Sequence, residues 1–373
     1  MQNKLHANVK NYLAVLILAT GLPFASAQAQ QDEPPEFPYP EVIQKAVLDF
    51  FVPVYEQVVI KAEALDRDMI ALCDAPGKDG LSKVREGFAN MVDAWSRAEA
   101  VQFGPVGNMG RRERILFWPD RKGIGARQYR RILKQRDATA IDPETLARKS
   151  VAVQGLPALE RILFDKSATQ LETTGDKSTF RCAFGKAISA NVVLQAKKVL
   201  AEWDRHPSYA EQMIKPGPHN PHFHDSNNSA ATLVSTFSYA LEVFQDVKLR
   251  PGMGKSVEKA KPKKTPWRRS GLGLNSLTAN LEALQSLYEL SGIGDVLPDN
   301  EKWIDKGIRA DFAKSLKLLQ GIKSDLATAV TDPAQRKALK GLVAATDNLQ
   351  LLLGTEIPRA HGIVLGFVWV DGD

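Results

Sequence analysis

The stretch Val151 to Phe164, VAVQGLPALERILF, sets a glycine and a proline inside an otherwise helical apolar pattern. Pro157 has no amide N–H and its ring crowds the carbonyl four residues back, so a helix running from Asp142 must kink or restart here. Gly155 supplies the freedom to turn. In the restarted helix Leu156, Glu160, Leu163 and Phe164 fall at i, i+4, i+7 and i+8, which predicts that Glu160 lies on the apolar stripe and not on the solvated face. A carboxylate there needs a hydrogen bond, a cation or a metal, because burial disfavours its charged form.

On the N-terminal side, Tyr39 to Asp74 shows helical periodicity through Val42, Ala46, Phe50, Val54 and Val58, with a predicted kink at Pro53. Asp79 is the expected cap of the next helix, in which Val84, Phe88, Val92, Trp95 and Glu99 share one face. Glu99 is thus a second carboxylate on an apolar stripe. A Gly-rich turn, Phe103 to Gly110, and a basic, aromatic run, Arg111 to Gly125, lead to a short helix through Tyr129 and Leu133.

On the C-terminal side, a long helix is expected over Phe180 to Trp203, and Ser226 or Asn228 is expected to cap a helix from Ser229 to Val247. From Lys248 to Arg269 the chain is strongly basic, with Glu258 the sole acid, and reads as a mobile excursion between helices. Gly271 to Ser291 and Glu301 to Val330 return to helix, Asp332 opens a last one to Leu353, and the tail Ile357 to Asp373 reads as extended. With about four long helices in each half and no strand alternation, the expected fold is all-α, two tandem helical bundles over 39–206 and 207–373.

The 373 residues, 44% of them apolar, can bury a large core. The N-terminus has the form of a secretory signal over 1–27: Lys4 and Lys10, an apolar run from Tyr12 to Phe24, and Ala25-Ser26-Ala27 as the cleavage site, followed by a flexible leader over 28–38. The apolar run is too short to span a membrane, and none follows it. These features predict a periplasmic chain. A net charge of +6, to which Lys4 and Lys10 of the signal segment contribute, is too mild to imply nucleic acid. Export permits a disulfide between Cys73 and Cys182; two buried free thiols are the alternative.

GLPALE (Gly155 to Glu160) resembles the GxHxxE signature of the imelysin family of cell-envelope proteins, named for a peptidase and related to periplasmic iron-uptake components. Gly155 and Glu160 match, but Pro157 stands where the family has His and offers no ligand atom. WSRAEAVQFGPV (Trp95 to Val106), ILFWP (Ile115 to Pro119), WRRSGLGLNSLTANLEAL (Trp267 to Leu284) and the terminal Gly366-Phe367 and Val370 to Asp373 are similar to blocks of an imelysin-like branch. The resemblance implies two helical bundles with the GLPALE segment near where they meet. It makes Arg269 and Ser270 expected neighbours of the site.

Glu160 and Glu99 could share a divalent metal or iron, since hard cations favour oxygen ligands. An internal salt bridge to Arg97, Arg111, Arg112 or Arg161 is the alternative. His219, His222, His224 and Asp225 form a second candidate metal cluster, at a spacing that matches no established zinc motif. The expected function is binding of a small ligand or metal at a cleft between the bundles, with Gly155, Pro157, Glu160, Glu99, Arg269 and Ser270 around it, in iron acquisition and without catalysis. A metallopeptidase would need His361 or the His219 to His224 loop to approach Glu160. A non-catalytic module docking an envelope protein through its basic loop is the third reading.

Overall fold

The computed structural model describes residues 37–365. The expected signal segment and the terminal block from Gly366 to Asp373 lie outside the described residues. Among those residues there is no strand, and the all-α class stands.

Helix α1, Val52–Asp74, and α2, Lys78–Ala98, are followed by α3, Ile124–Gln135, and the short α4, Leu156–Phe164. Helix α5, Asp176–Asp204, ends the first half of the chain. The second half contributes α6, Ser226–Glu242, α7, Gly273–Ser291, α8, Lys302–Gln320, and α9, Pro333–Leu351. Helix α1 packs on α2 and α5, α4 on α2 and α5, and α8 on α9. Helix α7 packs against α2, so elements from the two halves share a seam. Along α2, Leu81, Val84, Phe88, Met91, Val92 and Trp95 are buried at helical spacing, the apolar stripe that fixes its orientation.

Two features bind the first half together. Cys73 on α1 and Cys182 on α5 form a disulfide. Gly185 of α5 faces Met69 of α1, whose terminal methyl would lie 2.5 Å from a Cβ placed there.

Proline placement explains the breaks. The π-helical segments Ala46–Phe51, Val243–Leu249 and Leu352–Glu356 each run into a proline in the first turn of the next segment, namely Pro53, Pro251 and Pro358. A proline ring crowds the carbonyl four residues back, and the wider π turn relieves that crowding. The kink expected at Pro53 is therefore a π turn just before it.

Several expectations are corrected. The helix after Asp74 is capped at Gly77, with Asp79 inside its first turn. Asp225, not Ser226 or Asn228, caps α6 by accepting from the Asn228 N–H at 2.7 Å. The helix expected over Glu301 to Val330 ends at Gln320, and Asp325 caps a separate turn, Leu326–Ala329. Ile357–His361 is helical, not extended. The basic excursion is packed: Lys248, Met253, Thr265 and Trp267 are buried, and it contains the helical turn Arg250–Met253.

Candidate functional site

The chain restarts as a helix at Gly155, as the proline predicts, but the reason for the glycine differs from the expected one. Gly155 has φ −123° and ψ −166°, an extended conformation open to any residue. What excludes a side chain is space: a Cβ would stand 2.5 Å from the Arg114 carbonyl oxygen and closer still to that of Ile115. The approach is held from both sides. Arg114 Nη1 donates to Ala147 O at 2.8 Å and to Gln154 Oε1 at 2.9 Å, and Asn191 Nδ2 donates to Gln154 O at 3.0 Å. Only Asp142 to Leu146 of the expected preceding helix forms, with Asp142 accepting from the Thr145 N–H at its start.

Glu160 on α4 is 4% exposed. Its Oε1 accepts from the backbone N–H groups of Arg269 and Ser270, each at 3.1 Å, and from the Ser270 hydroxyl at 2.9 Å. Arg269 Nη1 lies 3.6 Å from Oε2, while its Nε donates to Asp165 at 2.8 Å. Glu160 thus locks the turn that precedes α7. Trp267 enters that turn at φ 49°, a left-handed conformation costing a non-glycine residue about 1–3 kcal/mol. Its buried ring, 5.8 Å edge-on to Phe88, and the bond from the Ser270 hydroxyl to its carbonyl help to hold it there.

Above this lock lies a cavity of about 540 Å³, within the size range of small-ligand pockets. Pro157, Glu160 and Arg161 of α4 form one wall, the Leu116–Arg121 run a second, and Lys263 to Arg269 a third. Trp118, Phe117 and Trp267 give it aromatic surface. Burial first, then the Arg269 guanidinium, pull the Arg161 pKa below its ordinary value, and Arg268 moves the same way for the same causes.

Glu99 is 7% exposed, but it lines a separate recess of about 10 Å³ beside Ala100, Ala240, Val243 and Asn280. Its partner is Lys248, which donates to Glu99 Oε2 and, at 2.8 Å, to Asn280 Oδ1. Asn280 Nδ2 also donates to Glu99 at 3.2 Å. The two carboxylates therefore have separate partners, and the arginines expected to pair with them are engaged elsewhere. Arg97 pairs with Asp93 and Glu282, Arg111 with Glu202, Arg112 with Glu113, and Arg161 lies over the Tyr129 ring. Lys248 carried a readable signal, since it continues the stripe of Phe237, Leu241 and Phe244 at helical spacing.

A metal of the kind the GxHxxE pattern implies does not fit the donors present. Pro157 supplies no ligand atom, Glu160 already accepts from a turn and an arginine, and Lys248 neutralises Glu99. Among the described residues no group of three or more His, Cys, Asp or Glu could hold a metal. In the histidine loop His222 packs on Tyr209, the backbone N–H of His224 donates to Asn228, and Asp225 caps α6. His361 packs on Phe37 and Tyr39 with its Nε2 3.1 Å from Ile293 O, and it does not line the cavity.

Fold and cavity together define an all-helical protein with a ligand-sized recess beside a broken helix. The chain belongs to the imelysin family, whose model matches residues 51–353. Among solved structures it is similar to an imelysin-like protein from Psychrobacter arcticum 273-4, at 21% identity and a TM-score of 0.69. It is also similar to a protein from Parabacteroides distasonis ATCC 8503 described as an iron-regulated protein A precursor, at 13% identity and a TM-score of 0.71. Each likeness covers 88% of this chain and 97% of the other. Comparison with curated proteins gave no match. No helix among the described residues is long and apolar enough to cross a membrane.

Proposed function

We propose that this imelysin-family chain is an exported periplasmic protein that binds a small ligand in the cavity over α4 and serves iron acquisition without catalysing a reaction. The observation that carries the reading is the cavity itself, walled by the GLPALE helix on one side and by the Lys263 to Arg269 segment on the other. On this reading the bundles 39–206 and 207–373 meet there. The signal-like N-terminus and the Cys73–Cys182 disulfide suit an oxidising envelope compartment. The name given to the Parabacteroides protein, an iron-regulated protein A precursor, suits the link to iron. A metallopeptidase finds no support in the cavity lining, which contains neither His nor Cys among the described residues.

The test is thermal unfolding of the wild type and of Ala126→Trp, which fills the cavity from α3. The panel is citrate, pyrophosphate, ferric citrate, magnesium and manganese. At least one of these should raise the wild-type Tm, and Ala126→Trp should lose that rise. A rise that survives in Ala126→Trp, or no rise with any member, contradicts the proposal.

A further inference from the structure

The charges lining the cavity divide into two unequal groups. Every acid is already satisfied by the protein. Asp120 accepts from the N–H groups of Ile124 at 2.7 Å and Gly125 at 3.0 Å, at the start of α3. Asp246 pairs with Arg250 at 3.0 Å, and Glu160 with the turn at Arg269 and Ser270. The cations Arg121, Arg161, Lys263, Lys264 and Arg268 also line the cavity. Among the described residues none of their side chains forms an ion pair; Arg121, Lys263, Lys264 and Arg268 are exposed, and Arg161, half-buried, lies 5.8 Å over the Tyr129 ring.

Cations gathered around one recess repel one another, Arg161 also loses solvation by its partial burial, and a bound anion relieves both costs. Guanidinium groups suit carboxylate and phosphate oxygens because their planar donors can engage two oxygens at once. A metal cation would meet the opposite conditions: repulsion from the lining, and carboxylates each already engaged with a cation or with backbone donors.

We infer that the cavity takes a small polyanion bearing carboxylate or phosphate groups, bound by Arg161 and Arg268 with Arg121, Lys263 and Lys264 at the rim. In this arrangement Glu160 is a positioning residue that fixes the Arg268–Ser270 backbone and does not touch the ligand. The inference rests on the cavity being the binding site.

Calorimetric titration of the full exported chain with citrate, pyrophosphate and magnesium chloride tests it, in the wild type, Arg161→Gln/Arg268→Gln, Arg161→Lys/Arg268→Lys and Ala126→Trp. Citrate or pyrophosphate should bind the wild type, weaken at least about tenfold in the glutamine pair, and recover in part in the lysine pair. The ligand-free Tm should stay at the wild-type value in the lysine pair and fall only slightly in the glutamine pair, by the lost Arg161 contact with the Tyr129 ring, which separates a lost ligand contact from a lost fold. Binding of neither anion to the wild type, or anion binding that the glutamine pair leaves unchanged, overturns the inference. Magnesium binding that Ala126→Trp abolishes, with no anion binding, overturns the inference while leaving the cavity as the binding site. Anion binding undiminished by Ala126→Trp overturns the cavity and the inference together.

Discussion

Glu160 takes its partners from a turn 109 and 110 residues further along the chain, so its role belongs to the meeting of two segments and not to α4 alone. Glu160→Ala would leave two backbone donors, a hydroxyl and the Arg269 guanidinium without their acceptor, at an expected cost of about 3–5 kcal/mol. Glu160→Gln keeps an acceptor oxygen and should cost clearly less. Chemical denaturation of the three proteins checks this order, and an alanine variant as stable as the wild type would show that the lock carries no weight. The burial of Glu160 was legible from its place on an apolar stripe. Its partners were not, because periodicity says which face is inward and nothing about what lies opposite. Gly155 teaches the same lesson, since the crowding that demands glycine comes from Arg114 and Ile115, outside its own helix.

Between elements, Lys248 joins the Val243–Leu249 π segment to Glu99 at the end of α2 and to Asn280 on α7. Lys248→Met would leave a buried carboxylate unpaired, and thermal and denaturant melts should show a loss of about 3–5 kcal/mol. Adding Glu99→Gln should restore most of that loss, because the uncompensated charge is then gone. Additive losses in the double variant would contradict the coupling. Helix starts set by local chemistry were readable, as at Asp142 and Asp332, each of which accepts from its own first turn. The break at Ile322 to Asp325 was missed because the apolar spacing continues across it, through Leu319, Ile322 and Leu326. Lys248 was assigned to the mobile basic excursion because it opens the Lys- and Arg-rich run to Arg269, although its neighbours on the helix face are apolar.

Across the whole molecule, the all-α class followed from helical periodicity in both halves, and the family from short blocks spread along the chain. The cavity's charge balance was out of reach at that stage. It arises from bringing Arg121, Arg161 and Lys263 to Arg268 around one recess while local hydrogen bonds occupy Asp120, Asp246 and Glu160. A lone carboxylate on an apolar stripe suggested a place for something positive; the folded chain surrounds it with donors and turns unpaired cations toward the recess. The central claim is therefore that this recess attracts negative charge. The most direct measurement is the citrate dissociation constant of the wild type as sodium chloride is raised from about 20 to about 300 mM, a range over which exposed charges become strongly screened. The account predicts steady weakening with salt, and an affinity indifferent to salt would contradict it.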